Sequence, residues 1–539
     1  MRKIVECVPN ISEGRDEKII NACAEAVKAV EGVTLLDVDP GKSTNRTVFT
    51  FVGDPDSVVE AAFQFTKTAY ELIDMSKHSG AHPRMGAVDV CPFVPVAGVT
   101  TEDCVECSKR YGKRVGEELG LPVYLYEEAS TNPARKSLKQ IRQGEYEAIK
   151  DRIILPEWKP DFGPAKFNPK FGAVVTGARF FLIAYNVNIL GTKEQAHRIA
   201  LNIREQGRGA DEPGRLKAIK AIGWYVDEYN MAQVSINLDN YTITPPHIVF
   251  EECVKDAKEL NLAAAGSELV GLIPLEAMLL AAEYYIKKED LFIVDEKQKI
   301  RLVVERLGLN SVSPFNPEKR IIEYMIAEGG KEPLASMSVR SFVELVGART
   351  SAPGGGSVSA LIAAMGAGLG AMMGWMSYGT KKFEHLDSIM RQNIPPLHEN
   401  MMKLIPMIDA DTNAFNDYMM AMKLPKNTDE QKKKRSGQMQ EGLKKAINVP
   451  LEVMRIADSC WSNMIEMAKH GNPSSGSDLA VGAKSLETGI WGAKKNVEIN
   501  LVQIEDEKYK KSVVKEADEI MKRAEKNLAE VEKILGGRE

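Results

Sequence analysis

His78-Ser-Gly-Ala-His82-Pro-Arg84-Met-Gly86-Ala-Val-Asp89-Val90 brings two histidines, an arginine and an aspartate within thirteen residues. Pro83 pushes His82 away from helical backbone and towards an extended or turn conformation. Gly80 and Gly86 permit tight backbone on either side. Beyond Gly86, the residues Val88, Val90, Phe93, Val94 and Val96 read as a strand entering a core. Pro92 and Pro95 are expected to confine that strand to an edge or to end it early. His82 then sits on a loop held by a rigid element, where an imidazole can exchange a proton near neutral pH. A histidine that merely caps a turn would satisfy the same local pattern.

Outward from this stretch the chain alternates. Apolar periodicity predicts strands at 3–8, 33–38, 47–52, 88–96 and 123–126, and helices at 16–30, 55–74 and 102–119. The order is close to βαββαβ, the split βαβ or ferredoxin-like arrangement. It then repeats. A long strand region at 174–189 precedes a helix at 193–206, strands at 218–225 and 232–238, and a helix at 246–260. A strand at 268–273 and a helix at 275–285 come next. Two similar subdomains with a cleft between them are expected. The Gly- and Pro-rich segment 161–172, with three phenylalanines, joins them. It reads as a plain linker or as a cover over a flat aromatic ligand, since pockets often form at domain interfaces.

Composition shifts between 314 and 337, and the rest of the chain reads as helix: 390–404, 407–422, 431–447, 451–470, 478–504 and 508–535. The fold class expected is multidomain α/β (α+β) plus all-α, two ferredoxin-like subdomains followed by a helical bundle. The limits expected are 1–180 and 181–326 for the subdomains, 327–337 for a linker and 338–539 for the bundle. Residues 358–377 carry no charge and are long enough to span a bilayer. They are, however, rich in Ala, Gly and Met, with Gly366, Gly370 and Gly374 four apart, which suits a central buried helix and no membrane span.

Charge and cysteine content narrow the function classes. The net charge of -5 leaves no basic footprint for nucleic acid. No secretory h-region opens the chain, and seven sparse cysteines suggest a reducing compartment. Cys104-Val-Glu-Cys107 has no second pair near it, so zinc or redox use is not expected. Two further motifs carry chemistry. Gly354-Gly355-Gly356-Ser357 opens a helix and offers backbone N–H groups to an anion, although a plain turn fits equally. Asp409-Ala-Asp411 lies inside an apolar helix. Acids two apart point to different faces, so at most one need face the core, where burial would raise its pKa and suit it to deliver a proton. On pattern alone, two solvated or turn-capping acids are the simpler reading.

Several longer stretches resemble the formimidoyltransferase-cyclodeaminase family. They include Val5-Glu-Cys-Val-Pro-Asn-Ile-Ser-Glu-Gly14, Ser43-Thr-Asn-Arg-Thr47, His82-Pro-Arg-Met-Gly86 and Pro160-Asp-Phe-Gly-Pro164. Later ones are Gly191-Thr-Lys-Glu-Gln-Ala-His-Arg198, Ala352-Pro-Gly-Gly-Gly-Ser357, Asp409-Ala-Asp411 and Leu424-Pro-Lys-Asn-Thr428. The resemblance covers both halves of the chain. It implies two reactions of histidine breakdown on tetrahydrofolate as co-substrate, expected to be polyglutamylated, with no metal. The formimino group of N-formimino-L-glutamate moves to tetrahydrofolate, and the product closes to 5,10-methenyltetrahydrofolate with loss of ammonia.

On this resemblance His82 is the catalytic histidine of the transfer and Asp411 the catalytic aspartate of the cyclisation. Arg46 and Arg84 are candidate forks for the two substrate carboxylates. Asp39 is a candidate to orient the histidine or the amidinium. The folate-binding stretch falls on Gly163, Pro164, Ala165, Lys166, Phe167, Asn168, Pro169, Lys170, Phe171 and Gly172, with Asn202, Ile203 and Arg204 as a second contact. Phe167 or Phe171 would stack on the pterin. The loop 472–478 matches the family only loosely before Ser477. A cytoplasmic homo-oligomer, with dimers assembling further, is expected. Two rival readings stay open: a monofunctional transferase whose helical part serves assembly, and a non-catalytic folate-binding scaffold.

Overall fold

The computed structural model describes residues 3–42, 44–80, 83–327, 332–350 and 352–538, so His82 lies outside the described residues. The chain divides into two compact units, Met1–Glu328 and Gly329–Glu539.

In the first unit, β1 (Ile4–Cys7) and β2 (Asn10–Ile11) form one interrupted strand. It lies between β4 (Arg46–Gly53) and β5 (Val88–Ala97), and β3 (Thr34–Gly41) pairs with the far side of β4. All these pairings are antiparallel. Counted by strand, the order is 4-1-3-2, the ferredoxin-like order read from the sequence. β7 (Val174–Ala178) then adds parallel to β5, and β6 (Val123–Glu127) adds parallel to β7. One face of this sheet is packed by helices Glu17–Lys28, Pro55–Leu72 and Thr101–Glu118 around Val5, Cys7, Ile11, Phe49, Phe51, Phe65 and Phe93. Burying each of those phenylalanines is worth about 1.5–3 kcal/mol. Local sequence starts each helix. Asp16 and Asp54 cap the first two, and Thr100 with Asp103 forms a capping box on the third.

Two expectations are corrected here. β5 is an interior strand, not an edge. A proline lacks only its N–H donor; the Pro92 carbonyl still accepts from Val8 N–H at 3.3 Å. The region 174–189 is two strands, not one. β7 completes the first sheet, the chain leaves it after the Arg179 N–H donates to Phe93 O at 3.3 Å, and β8 (Ile183–Leu190) opens the next sheet.

That second sheet contains β8, β9 (Ile219–Val226), β10 (Met231–Leu238) and β11 (Ala263–Val270), antiparallel in the order β11-β8-β10-β9. This is again 4-1-3-2. β11 begins five residues before the expected 268 because its opening residues, Ala-Ala-Ala-Gly266, have weak strand propensity and the tertiary pairing overrides it.

The second unit is a bundle of long helices. Gly355–Trp375 is the one helix among the described residues long and apolar enough to cross a membrane. Its small-residue face is instead packed on helix Gly476–Leu501. A Cβ on Gly366 would meet Gly482 O at 2.7 Å, and one on Gly489 would meet Ala363 Cβ at 2.8 Å. The segments 431–447 and 451–470, read separately, are divided elsewhere: Asp429–Asp458 runs on through Pro450, and Trp461–His470 comes after it. Pro450 cannot donate to Ala446 O, and Asn500 Nδ2 does so in its place at 3.2 Å.

Candidate functional site

In the first unit the loop leading to β5 is fixed from several sides. Ser12 Oγ donates to Gly86 O at 2.7 Å, and Met85 N–H donates to Asp89 Oδ1 at 2.9 Å. Ala87 N–H donates to Phe171 O at 2.8 Å and Ala173 N–H to Met85 O at 3.0 Å, which ties the loop to the end of the 161–172 segment. Gly86 and Gly172 make this close approach possible. A Cβ on Gly172, whose φ is +82°, would lie 2.3 Å from Met85 O.

His78 is committed to holding this loop. Its Nε2 lies 3.0 Å from Asn45 O, and a carbonyl only accepts, so Nε2 carries the proton. Nδ1 then accepts from Arg84 Nε at 3.3 Å. Arg84 also forks onto Glu147 at 2.6 and 2.9 Å and reaches Glu145 at 2.8 Å. As a candidate fork for substrate it therefore already holds two carboxylates of the chain.

Asp89, 1% exposed, accepts from both Arg46 (3.1 Å) and Arg142. Two guanidiniums share this one carboxylate, while Arg84 on the same loop is shared by two, so the six groups together carry no net charge. Burial pulls the Arg46 pKa down to about 10, against the attraction of Asp89 and with the repulsion of Arg142. Asp39 is exposed on the edge strand β3, two strands from β2 on the face away from the helices.

The 163–172 stretch divides by burial. Phe171 is fully buried in the core, 5.7 Å from the Tyr70 ring, and is removed as a stacking surface for the pterin. Phe167 is half-buried against Tyr146, with ring centroids 5.5 Å apart. Asn168 turns the chain, accepting from Lys170 N–H and Phe171 N–H at 3.0 and 3.1 Å. Gly163 has φ +77°, and Pro164, Ala165 and Lys166 are exposed. Of the second contact, Ile203 is fully buried. Asn202 donates to Asp256 at 2.7 Å, and Arg204 donates to Gly207 O and Ala221 O at 2.9 and 3.3 Å. These three hold the second subdomain together.

The second unit brings two sequence candidates onto each other. The Asp411 carboxylate sits on the start of helix Gly355–Trp375, accepting from Ser357 N–H at 3.1 Å. The Ser357 N–H, expected to face a ligand anion, is taken by this side chain. Gly356 makes room for it, since a Cβ there would lie 2.0 Å from Asp411 Oδ1. Ser357 Oγ donates to Ile408 O at 2.7 Å and lies 3.2 Å from Thr412 Oγ1. Burial raises the Asp411 pKa, and the Ser357 bonds offset this only in part.

Asp409, 3% exposed, points elsewhere and accepts from Leu334 N–H at 2.9 Å and Ala335 N–H at 3.0 Å. Asp409 is thus buried and Asp411 half-buried, each held by a different segment. Sequence reasoning missed Arg142, Glu145 and Glu147, which carry no local motif. The signal for Asp411 on the glycine turn was present only as two separate motifs.

Comparison with known proteins divides the chain in the same way. The family model described as formiminotransferase domain, N-terminal subdomain, matches residues 4–179, and that of the formiminotransferase domain matches 184–327. The formiminotransferase-cyclodeaminase model matches 338–519. A formimidoyltransferase-cyclodeaminase of Dictyostelium discoideum is 64% identical over the whole of both chains, and one of Gallus gallus is 55% identical, also over the whole of both. A glutamate formimidoyltransferase of Streptococcus pyogenes is 44% identical over 54% of this chain and 95% of its own. With its folded halves matching in turn, and relatives this similar from end to end, the chain belongs to the formimidoyltransferase-cyclodeaminase family.

Proposed function

We propose that the first unit transfers the formimino group of N-formimino-L-glutamate to N5 of tetrahydrofolate, and that the second closes the product to 5,10-methenyltetrahydrofolate. In the first step N5 attacks the formimino carbon. The N5 proton must leave and the departing glutamate nitrogen must gain one, and a single imidazole, assigned here to His82, does both. The cluster of Arg46, Asp89 and Arg142 brings two guanidiniums, the planar donors that suit a dicarboxylate substrate, beside the loop. In the second step N10 attacks the same carbon, the bond to the terminal nitrogen breaks and ammonia leaves. Asp411, whose pKa burial raises, gives that nitrogen its proton and recovers one from N10.

The observation that carries this reading is the seat of Asp411: a carboxyl of raised pKa, in a unit distinct from the arginine cluster, on a helix start cleared by Gly356. The bound folate is expected to be polyglutamylated. The protein is expected to be a cytoplasmic homo-oligomer; all seven cysteines are free and buried, which supports a reducing compartment. Incubation of the purified chain with N-formimino-L-glutamate and tetrahydrofolate tests the reading. Glutamate, ammonia and methenyltetrahydrofolate are expected in equal amounts. Glutamate without ammonia would reduce the protein to a transferase, and neither product would refute both assignments.

A further inference from the structure

Asn10 is 6% exposed, and only one end of its side chain is satisfied. Nδ2 donates to Val8 O at 3.2 Å, which fixes the amide orientation because the oxygen end could not donate. Oδ1 is left buried with no hydrogen-bond donor among the described residues. A buried acceptor in that condition costs stability and calls for a partner the protein itself does not supply.

Strand register shows where this oxygen stands. Asn10 pairs with Val48 on one side and Val90 on the other, and Val48 pairs with Asp39 on its far side. Directly paired residues share a face, and Ile11 and Phe49 occupy the helix-covered face. Asn10, Val48 and Asp39 therefore form a row on the opposite face, with roughly 10 Å between its ends at the usual strand spacing. Arg46, two residues from Val48 on β4, lies on the same face with its partner Asp89. The row carries a buried amide oxygen and an exposed carboxylate as acceptors, next to the two guanidiniums held on Asp89.

We propose that Asn10 is a substrate-binding residue of the transfer step, its Oδ1 accepting a hydrogen bond from the terminal amidinium NH2 of N-formimino-L-glutamate. This rests on the transferase reading. The amidinium is the cationic N–H donor of that reaction, which matches an amide oxygen and the Asp39 carboxylate on one row. The same substrate's carboxylates match the Arg46 end.

The test uses Asn10→Ala in the full-length chain. Cyclisation of supplied 5-formiminotetrahydrofolate, a reaction of the other unit, should be unchanged. The kcat/KM for N-formimino-L-glutamate should fall about 10- to 100-fold, the effect of losing a hydrogen bond to a charged group, while the KM for tetrahydrofolate holds. N-formyl-L-glutamate has oxygen in place of the NH2, so it should inhibit wild type and variant equally. Should Asn10→Ala fail to fold, Asn10→Ser is expected to show the same split in smaller measure. An unchanged kcat/KM, a loss confined to tetrahydrofolate, or an equal loss of N-formyl-L-glutamate inhibition would overturn the proposal. Wild-type chain that releases no glutamate would instead refute the transferase reading itself.

Discussion

Asp409 and Asp411 stand two residues apart on one helix, and their neighbours separate them. Asp409 accepts two backbone N–H groups and ties down the segment around Leu334. Asp409→Asn keeps one acceptor and sets an NH2 against the other N–H, so it should cost about 1–3 kcal/mol of stability while the folded fraction still cyclises. Denaturant unfolding with an ammonia assay on the same sample checks this. Glu6 gives a pH prediction in the first unit. It is 4% exposed, and burial raises its pKa from 4.5 to about 7, against the pull of Arg179. The folded state thus holds a proton that the unfolded state has released, so stability falls as pH rises from 4.5 through about 7. Between pH 4.5 and 8, wild type should lose up to about 3 kcal/mol relative to Glu6→Gln, measured by unfolding at each pH. At this scale the sequence was informative about residue type and less so about neighbours. It offered Asp411 and the glycine turn as separate candidates. Nothing local in the sequence could show that Asp89 would be shared with Arg142, brought in from 53 positions along the chain.

Proline placement shows how elements are held once local rules are broken. Helix Asp429–Asp458 continues through Pro450 because Asn500 donates to the orphaned Ala446 carbonyl. Asn500→Ala should cost about 1 kcal/mol in wild type and less in a Pro450→Ala background, where the substituted alanine supplies the missing N–H; a double-mutant cycle measures the difference. Gly356→Ala is the corresponding test at the helix start. Its Cβ cannot coexist with Asp411 in place, so cyclisation should fall by at least about 100-fold while transfer persists. Most elements were legible because apolar periodicity survives in a single sequence. The errors came where tertiary partners repair a local defect: Pro92 within an interior strand, Pro450 within a helix, and the Ala-rich start of β11. The break at 179–182 was hidden because apolar residues continue on both sides of it, although the two strands belong to different sheets.

At the scale of the whole molecule, each unit carries one reaction. The central claim is that the helical unit is an enzyme and that Asp411 is its acid. The most direct test supplies 5-formiminotetrahydrofolate to wild type, Asp411→Asn and Asp409→Asn, and measures ammonia release, with glutamate release from N-formimino-L-glutamate assayed beside it. Asp411→Asn keeps the shape and loses the titratable proton. It should release glutamate at the wild-type rate and ammonia at least about 100-fold more slowly, while Asp409→Asn releases both. Ammonia release by Asp411→Asn at the wild-type rate would contradict the claim.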